Sequence, residues 1–421
     1  MEKSHEKIIV IGGGAAGMMA AGRAAQMGAS VTLIERNKIL GKKILISGKG
    51  RCNVTNAGEI EDLIASFPNN GKFLYGPFYT FTNQDLINFF QEHGVKLKVE
   101  RGNRVFPVSD SSRDIVKALE KYMSQHQVKV LTNQRVKEIL IDKDAKQVKG
   151  VLLEDGQEIL AKRIIVATGG CSFPGTGSTG DGYSWAKKLG HNIKTIRPGL
   201  IPLETREPWV KSLQGLSLRN VNVAIKEKNG KVLTSLFGEM LFTHFGVSGP
   251  IILSMSKWAV DYWLKKQEDL ILTIDFKPAL SNEQLDLRLQ REIEKHSNKI
   301  FRNSLNDLLP RKIIPIFIEL SQIDPEKVMH QLTRKEREKL TSLLKNFELT
   351  IHKPRPIAEA IVTAGGVNVK EIDPQTMESK IIKGLFFAGE IIDIDGFTGG
   401  YNLQAAFSTG FVAGNNASLF N

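Results

Sequence analysis

The amino-terminal segment has the pattern that most constrains the fold. A short apolar strand, Lys7–Ile11, ends in Gly-Gly-Gly-Ala-Ala-Gly at 12–17, and a small-residue helix is predicted over 15–27. A second strand, Ser30–Ile34, ends at Glu35. Strand, glycine turn, helix, strand and acid within about thirty residues are typical of a dinucleotide-binding unit. The pattern therefore predicts a Rossmann-type parallel sheet.

Each residue type in this unit has a physical role. Gly12 permits the tight turn, Gly14 lets the backbone approach a pyrophosphate, and Gly17 lets the helix pack closely on the strand. The helix N-terminus offers free N–H groups and a positive dipole end to phosphates. Glu35 is placed to accept hydrogen bonds from an adenosine ribose. A free 2′-hydroxyl is thus favoured, which points to FAD or NAD rather than NADP.

A second polar, glycine-rich segment spans residues 41–56. Its donors are the glycine N–H groups and the side chains of Lys43, Ser47, Arg51 and Asn53. Such a set can wrap a pyrophosphate, a ribityl chain or a flavin edge. A flexible surface loop is the alternative interpretation.

Two glycine segments in the middle of the chain are interpreted differently. The apolar strand at 164–170 ends in Thr-Gly-Gly, where small side chains would lie over a dinucleotide. The sequence at 175–180 also fits the glycine fingerprint, but residues 171–174 separate it from that strand and no acid-terminated strand follows. We therefore interpret it as a loop that opens a helix over 181–189.

The carboxy-terminal segment contains a second motif that complements the amino-terminal dinucleotide-binding unit. A strand at 384–390 ends at Glu390, and Gly399-Gly400 precede a small-residue helix predicted over 403–414. Glu390 can accept a hydrogen bond from a ribityl hydroxyl. The N-terminus of the last helix can point at the flavin pyrimidine edge and stabilise an anionic reduced flavin. Because a nicotinamide site needs neither feature, the sequence predicts FAD.

These residues together resemble a known family. The chain is similar to the aminoacetone-oxidase-like, or BaiN-like, FAD-binding enzymes of the glutathione-reductase-type flavoprotein superfamily. Relatives often carry glycine where this chain has Lys49. The matching segments are SGKGRCNVTN (47–56), RVFP (104–107), ATGG (167–170), GTGSTGDGY (175–183), GEMLFTHFGVSGP (238–250), TAGGV (363–367) and GLFFAGEIIDIDGFTGGYNLQAAFSTG (384–410).

The resemblance implies an α/β fold in which a Rossmann-like FAD-binding domain of the GR2 type is interrupted by one insertion, a β-rich subdomain followed by a small helical one. The predicted FAD-binding parts are residues 1–193 and 353–421. An inserted β-barrel-like subdomain is predicted over 194–278, where strand-like alternation is found. A small helical subdomain is predicted over 279–352, where leucines and isoleucines recur every three or four residues.

Site residues follow from the motifs and from analogy with flavoproteins, in which a residue such as Val136 meets the adenine through its backbone. Tyr401 and His244 are the candidate catalytic residues, and no metal site is expected. The expected cofactor-binding residues are Gly12, Gly14, Ala15, Ala16, Gly17, Glu35, Arg36, Lys42, Lys43, Ser47, Gly48, Gly50, Arg51, Cys52, Asn53, Val136, Ala167, Thr168, Gly169, Gly389, Glu390, Gly400, Tyr401, Asn402 and Leu403. Of these, Arg51, Asn53, Tyr401 and Asn402 are expected to line the isoalloxazine.

Composition narrows the remaining choices. The 421-residue chain carries a formal net charge of +12, which favours anionic partners. No basic run has interleaved aromatics, so a small-molecule substrate is expected and nucleic acid is only a minor hypothesis. Cys52 and Cys171 are interpreted as free thiols of a reducing compartment. No apolar stretch approaches membrane-spanning length, so a cytoplasmic protein without a membrane partner is expected.

The predicted function is an FAD-dependent oxidoreductase that exchanges a hydride between flavin N5 and a small organic substrate of the amine or enone class. Oxygen or a diffusible nicotinamide, NAD(P)H, would close the cycle. A flavin-dependent RNA-modifying enzyme is an alternative that the +12 charge motivates. A non-catalytic flavin scaffold or redox sensor is a third interpretation, since no catalytic constellation is evident.

Overall fold

The computed structural model describes residues 7–419, which divide into two compact units. Unit 1 comprises residues 7–199 and 357–419, and unit 2 comprises residues 200–356. Each unit has its own cluster of buried apolar side chains.

Strands occur in both units. In residues 7–419 they are β1 (Lys7–Ile11), β2 (Ser30–Ile34), β3 (Thr55–Asn56), β4 (Leu97–Glu100), β5 (Arg104–Pro107), β6 (Lys129–Leu131), β7 (Val136–Asp142), β8 (Gln147–Leu153), β9 (Glu158–Leu160), β10 (Arg163–Val166), β11 (Ile193–Gly199), β12 (Leu203–Thr205), β13 (Ser217–Lys226), β14 (Val232–Phe242), β15 (Gly246–Ser248), β16 (Leu270–Asp275), β17 (Phe347–Pro354), β18 (Val362–Val367) and β19 (Leu385–Phe387).

In unit 1 the helices are interspersed among these strands, and in unit 2 most of them lie between β16 and β17. In the same described range they are α1 (Ala15–Gln26), α2 (Lys42–Ile46), α3 (Ile60–Ala65), α4 (Tyr75–Thr80), α5 (Asn83–Glu92), α6 (Ser112–Gln125), α7 (Asp181–Lys188), α8 (Pro250–Lys266), α9 (Asn282–Lys295), α10 (Ile314–Ser321), α11 (Arg334–Lys345) and α12 (Tyr401–Ala417).

Unit 1 is built on a five-stranded parallel sheet in the order β19-β10-β1-β2-β6. The middle of β1 is apolar at every position, and Ile8, Ile9 and Val10 are fully buried, as expected for a parallel strand covered on both faces. A separate antiparallel sheet, β7-β8-β9, lies between β6 and β10 in the chain. The Rossmann-type fold class expected from the sequence is confirmed.

Helices α1 and α12 pack in parallel through small residues. A Cβ atom added at Gly410 would lie 2.3 Å from the carbonyl oxygen of Ala16, and one at Gly414 would lie 2.3 Å from that of Ala20. Both contact positions advance by four residues in the same direction along the two helices. The two N-termini therefore point toward the same end of unit 1.

Unit 2 contains a closed six-stranded barrel in the order β12-β15-β14-β13-β16-β17. Its last strand, β17, follows α9, α10 and α11 in the chain, so the barrel is complete only after the helical segment. Barrel residues such as Leu272 and Phe347 and helical residues such as Leu285 and Phe317 belong to one buried cluster. The β-rich and helical parts of the insertion thus share a core.

The limits of the units differ from the predicted limits of the insertion. The sequence places the insertion at 194–352, whereas unit 2 covers 200–356. The difference at the first limit arises because β11 continues to Gly199, where it pairs with β18 of the same unit. Within residues 7–419, no helix combines the length and the apolar character that a bilayer crossing requires.

Candidate cofactor site

The turn after β1 requires glycine at two positions for different reasons. Gly12 has a φ of +105°, and a Cβ there would lie 2.5 Å from the carbonyl oxygen of Ala167. A Cβ at Gly17 would lie 1.8 Å from the carbonyl oxygen of Gly12, so α1 can approach the turn only through glycine. Gly14 differs, because a Cβ there would meet no atom within 4 Å. The backbone at Gly14 is thus open to a ligand.

Helix α1 begins beside this opening, and no side chain there satisfies its free N–H groups or neutralises its positive end. Its N-cap residue is Gly14, no side chain caps the helix, and its first turn, which includes Ala15 and Ala16, has no acidic residue. The first N–H groups of a helix have no partner within the helix, and the dipole makes this end positive. The terminus therefore suits a phosphate anion.

Glu35 lies buried directly under the turn, with 8% of its surface exposed. Its Oε2 atom accepts a hydrogen bond from the Gly13 N–H at 2.7 Å. Its Oε1 atom accepts from the Asn37 N–H at 2.8 Å and from Asn37 Nδ2 at 2.6 Å. A carboxylate has about four acceptor positions, so roughly one is left for a ribose hydroxyl.

Residues 36–42 contact the glycine-rich segment at 175–180. Arg36 donates to Thr179 Oγ1 at 2.6 Å, Asn37 Nδ2 donates to the Thr176 carbonyl at 3.0 Å, and Lys42 Nζ donates to the Gly175 carbonyl at 3.2 Å. Segment 175–180 does open a helix, α7, as predicted. Its placement beside the end of β2 was missed, although its glycine pattern was the available signal.

Asp181, the first residue of α7, forms ion pairs that stabilise the contact between residues 36–42 and segment 175–180. Although burial opposes ionisation, hydrogen bonds from Arg135 and Thr179 hold the pKa of the Asp181 carboxyl below its ordinary value. Arg36 also lies 3.4 Å from Asp181. Val136, the residue after Arg135, is buried at the start of β7. The predicted adenine-side residues therefore lie in neighbouring segments of unit 1.

Glu390 is the centre of a polar cluster that joins four segments. Its Oε2 atom accepts from Lys43 Nζ at 2.7 Å, and its Oε1 atom accepts from the Thr363 N–H at 2.6 Å and from Ser172 Oγ at 3.1 Å. Lys43 also donates to Ser172 at 2.7 Å. The predicted Lys43 and Glu390 are brought together, whereas Ser172 and Thr363 were not identified from the sequence.

The end of β10 approaches the same cluster. Ala167 is buried and donates its N–H to the Ile11 carbonyl at 2.9 Å, which holds the strand end beside the first turn. A Cβ at Gly169, whose φ is +72°, would lie 3.1 Å from Ser178 Oγ and 3.7 Å from Glu390 Oε2. The hydroxyl oxygen of Thr168 is buried and has no hydrogen-bond partner. The positive φ and these close neighbours leave little room for a side chain at Gly169.

The segment Ser47–Asn53 has an unusual backbone. Gly48 and Lys49 both have left-handed φ and ψ angles, and Gly50 and Cys52 also have positive φ. Ser47 donates its hydroxyl to the Ile44 carbonyl at 2.7 Å. The Cys52 thiol is fully buried, and this burial raises its pKa to about 12. A cofactor contact by Cys52 would therefore have to use its backbone.

The side chains of Arg51 and Asn53 were expected to line the isoalloxazine. The Arg51 guanidinium forms ion pairs with Glu100 and Asp110 and lies 4.2 Å over the Phe106 ring. The Oδ1 atom of Asn53 is buried without a hydrogen-bond partner. Their contact with a flavin stays a prediction, and for Arg51 it would require the guanidinium to share or leave its two carboxylates.

Helix α12 begins two residues earlier than predicted, at Tyr401, and is uncapped. Its N-cap Gly400 has a φ of +100°, and a Cβ there would lie 2.4 Å from the Thr55 carbonyl oxygen. No side chain caps the helix and no acid lies in its first turn, which includes Leu403. The Asn402 side chain instead accepts from the Gly396 N–H at 2.8 Å and donates to the Gly396 carbonyl at 2.9 Å.

Buried hydrogen bonds hold this terminus in place. Gln404 is fully buried, accepts from the Thr55 hydroxyl, and donates to Ser408 Oγ at 2.9 Å. Asn56 Nδ2 donates to the Tyr401 hydroxyl at 3.3 Å. Sequence reasoning missed Thr55, Asn56 and Gln404, because each bonds to a residue far from it in the chain. The network fixes the first turn of α12 to β3.

The candidate catalytic residues lie in different units. Tyr401 is partly buried in unit 1, with its hydroxyl beside Asn56. His244 is exposed in unit 2, and its ring packs edge-on against Phe245 with centroids 4.9 Å apart. The structure therefore shows the surroundings of Tyr401 and of His244, and their catalytic roles stay predictions.

The arrangement in unit 1 fits FAD. Since Gly410 lies level with Ala16, and a helix rises about 1.5 Å per residue, the N-terminus of α12 extends about 12 Å beyond that of α1. Gly389 lies between them, because a Cβ there would be 2.8 Å from Ala16 Cβ and 3.9 Å from Ala406 Cβ. A pyrophosphate at α1, a ribityl chain passing Glu390 and a flavin edge at α12 would match this order.

The parallel sheet, the two uncapped helix termini and the two acids define a Rossmann-type FAD-binding oxidoreductase. Comparison with known families agrees with this class. A family model described as "HI0933-like protein Rossmann domain" matches residues 6–416. The chain belongs to this family.

Curated relatives span almost the whole chain. One is the "3-dehydro-bile acid delta(4,6)-reductase" of Clostridium scindens, 32% identical over 98% of this chain and 99% of the relative. Another is the "Ribosomal RNA dihydrouridine synthase" of Haemophilus influenzae, 32% identical over 97% of each chain. The protein of the same name from Escherichia coli is 33% identical over 95% of each chain.

Solved structures with low sequence identity share the fold. The 3-ketosteroid-delta4-(5alpha)-dehydrogenase of Rhodococcus jostii RHA1 matches with a TM-score of 0.55 at 14% identity, covering 100% of this chain and 98% of the other. The 3-ketosteroid delta1-dehydrogenase of Sterolibacterium denitrificans matches with a TM-score of 0.56 at 12% identity, covering 98% and 99%. These likenesses support the fold class.

Proposed function

We propose that this protein reduces a carbon–carbon double bond conjugated to a carbonyl group in a small organic substrate. FAD is the proposed cofactor and NAD(P)H the proposed electron donor. The observation that carries the proposal is the uncapped, acid-free N-terminus of α12, which lies in the same unit as the dinucleotide turn and carries Tyr401 at its first position. The bile-acid reductase and dihydrouridine synthase names of the relatives both describe saturation of such a bond, which supports it.

The residues that would hold FAD divide into three groups. The N–H groups at Gly14 and the start of α1 would bind the pyrophosphate, and Glu35 would bind the adenosine ribose. Glu390, held by Lys43, would accept from a ribityl hydroxyl. The first turn of α12 would face the pyrimidine edge. Bound FAD supplies the hydride exchange, which no protein side chain can perform.

The protein's own groups would supply electrostatics and a proton. The positive end of α12 would stabilise negative charge that develops at the adjoining ring edge. When a hydride adds to the β-carbon of an enone, the α-carbon must take up a proton. We assign this proton to the Tyr401 hydroxyl, which the Asn56 amide orients by donating a hydrogen bond. His244 is the second candidate for the donor.

Rapid mixing tests this assignment. Holoenzyme reduced under anaerobic conditions is mixed with 4-androstene-3,17-dione or a 3-oxo-4,6-diene bile acid, and recovery of the visible flavin absorption is followed. Tyr401→Phe should slow recovery by about 100-fold or more, the usual size of a lost general acid. Tyr262→Phe removes an exposed tyrosine hydroxyl bonded to Glu268 and serves as the control. Loss of the rate in His244→Gln, with Tyr401→Phe unaffected, would reassign the donor.

The same holoenzyme, tested in its oxidised and in its reduced form, distinguishes enone reduction from amine oxidation. An amine oxidase would bleach its oxidised flavin when mixed with a small primary amine such as aminoacetone and would leave the reduced flavin unaffected by enones. A non-catalytic scaffold would show neither reaction, while still binding FAD. Enone-dependent recovery, with no amine-dependent bleaching, is the result we expect.

A second candidate is reduction of a uridine ring in RNA. The net charge of +12 and two relatives named as ribosomal RNA dihydrouridine synthases favour it. Exposed Tyr75 and Tyr79 on α4 form a stacked pair with centroids 6.3 Å apart, and exposed aromatic faces suit nucleic-acid bases. Uridine carries the same double bond beside a carbonyl.

Undermodified ribosomal RNA in the rapid-mixing assay distinguishes the two substrates. Flavin recovery with RNA and none with the steroid would select the RNA. Binding that weakens as salt increases would support contact with phosphates, since such contacts release counterions. Recovery with the steroid alone and no salt-sensitive RNA binding would reject this candidate.

A further inference from the structure

A group of side chains with the donor atoms that metals bind lies at the end of α9 in unit 2, whereas every residue assigned to FAD belongs to unit 1. Glu292 and His296 are one helical turn apart, and Asp307 ends a short 3₁₀ turn, Leu305–Asp307. Nε2 of His296 lies 3.2 Å from Asp307 Oδ2 and 3.8 Å from Glu292 Oε2. The three ligand atoms all lie within 4.8 Å of one another.

One of these ligand atoms lacks the partner that its burial requires. Glu292 Oε2 is inaccessible to solvent and has no hydrogen-bond partner. The side chains of Glu292 and His296 are only 14% and 12% exposed. A buried carboxylate oxygen without a hydrogen bond is costly, and a bound cation would remove that cost.

The distances suit a transition-metal ion. Bonds of about 2.0–2.2 Å to nitrogen and oxygen place neighbouring ligand atoms of a tetrahedral ion about 3.4 Å apart. The two measured separations from His296, 3.2 and 3.8 Å, lie on either side of this value. One imidazole with two carboxylates is a donor set that Zn²⁺ accepts. Only small side-chain movements would be needed.

An ion can reach the site from solvent. The Asp307 side chain is 45% exposed. Glu292 also lines a surface groove of about 590 Å³, together with Arg288, Arg291 and Gln284. A hydrated ion can therefore reach the site at the exposed Asp307 carboxylate, where a water molecule can complete the coordination.

We propose that Glu292, His296 and Asp307 bind one divalent transition-metal ion of the zinc type. The ion would tie the carboxyl end of α9 to the 3₁₀ turn at 305–307, and so would stabilise the helical part of unit 2. The site is independent of the proposed reductase function.

A nearby cation competes for the same carboxylate. Lys295 Nζ lies 2.8 Å from Asp307 Oδ2, the atom that would bind the metal. The Lys295 side chain is 62% exposed and can leave without burying its charge. Metal binding must displace it, so removing Lys295 should strengthen binding. A simple His–Asp hydrogen bond would not produce this effect.

Titration of untagged, full-length protein with Co²⁺ alone tests the proposal. We expect one equivalent to bind with the intense visible bands of a tetrahedral ion. Glu292→Gln and His296→Gln should each weaken binding by about tenfold or more, because even indirect partners of a metal change affinity by that amount. Lys295→Met should tighten binding. Circular dichroism and flavin content confirm that each variant is folded.

His352→Gln is the matched control. His352 Nδ1 also lies 3.2 Å from an aspartate oxygen, that of Asp269, but Asp269 is held by Arg206 at 2.9 Å. Co²⁺ binding should be unchanged in this variant. Stoichiometric binding that survives His296→Gln would overturn the proposal, as would the absence of saturable binding by both the wild-type protein and Lys295→Met.

Discussion

Lys49 holds a backbone conformation that usually belongs to glycine. Its φ and ψ are 59° and 39°, between Gly48 and Gly50, which also have positive φ. In this region a Cβ atom costs roughly 1–2 kcal/mol relative to the right-handed conformation. Glycine at this position in relatives is therefore explained by the backbone of the turn.

Lys49→Gly should stabilise the protein by up to about 1 kcal/mol. The relief of strain exceeds the extra conformational entropy that glycine adds to the unfolded chain. Urea denaturation followed by circular dichroism measures the change. Lys72→Gly, at an exposed position without positive φ, should be destabilising instead. Equal effects of the two substitutions would show that the left-handed strain at residue 49 is negligible.

Gly14→Val should block the cofactor while sparing the protein. A Cβ at Gly14 meets no protein atom within 4 Å, so the apoprotein should unfold at nearly the wild-type urea concentration. The added side chain would occupy the approach of the pyrophosphate, and FAD affinity should fall at least about 100-fold. Equilibrium dialysis with FAD measures this loss.

Gly17→Ala provides the contrast, because its Cβ would lie 1.8 Å from the Gly12 carbonyl oxygen and should destabilise the apoprotein itself. FAD binding that survives Gly14→Val would exclude the proposed position of the pyrophosphate.

For single residues, the sequence predicts those that belong to a local motif, but it does not predict hydrogen bonds between residues far apart in the chain. The dinucleotide turn and Glu35 lie within one short unit, so spacing alone predicts them. Ser172 reaches Glu390 across 218 positions and Thr55 reaches Gln404 across 349 positions, and neither contact has a local signal. Motifs also do not show which atom faces a ligand, as the buried thiol of Cys52 demonstrates.

Among the elements, α1 and α12 set the geometry of the site. Glycines and alanines bring their backbones into contact, so the offset between the two N-termini is fixed by packing. The sequence predicts both helices from their small residues but not their parallel contact, because the helices are almost a full chain length apart. Their offset of about 12 Å follows from the Gly410–Ala16 contact and the helical rise.

Gly400→Ala should displace the first turn of α12. A Cβ there would lie 2.4 Å from the Thr55 carbonyl oxygen, and the φ of +100° is strained for any other residue. We expect a shifted flavin absorption spectrum and FAD affinity reduced about tenfold or more, because the donors of α12 would move away from the ring edge. Difference spectroscopy during FAD titration measures both.

Asn415→Ala, at the other end of the same helix, is the control. The Asn415 side chain accepts hydrogen bonds from Arg23 and lies far from the N-terminus. It should change stability without shifting the spectrum. If the two variants have the same flavin spectrum, the α12 N-terminus does not contact the ring.

At the scale of the whole molecule, residues 7–419 contain two separate apolar cores and a buried histidine whose charge state should make stability depend on pH. His191 of unit 1 is 3% exposed, and its Nε2 atom lies 3.0 Å from Ser379 Oγ. Nδ1 lies 3.4 Å from Glu371. This arrangement of serine, histidine and acid is structural, because Ser379 is buried and its hydroxyl accepts the N–H groups of Ile381 and Ile382.

Stability should fall as pH decreases below about 6.5. Burial lowers the pKa of His191, although Glu371 opposes this shift. Below the ordinary histidine pKa the unfolded chain therefore binds a proton that the folded chain rejects, and the loss can reach about 1.4 kcal/mol per pH unit. Urea denaturation from pH 7 to pH 5 measures the slope.

His191→Gln should flatten this slope, even if it lowers stability overall. The pKa of Glu371 is lowered as well: burial opposes the shift, but hydrogen bonds from Asn192 outweigh it. Its contribution is lost only as pH falls through and below the ordinary glutamate range, so it does not overlap the histidine range. An unchanged slope in His191→Gln would assign the pH dependence to other groups.

The pairing of β11 with β18 has a consequence for how such a molecule can be altered. Gly199, where the chain leaves unit 1, pairs with Val362, close to where it returns. Neighbouring antiparallel strands place such Cα atoms about 5 Å apart. A few linking residues would join the two strands as a hairpin. An insertion of the size of unit 2, residues 200–356, could therefore be gained, lost or exchanged at this point without reordering the parallel sheet.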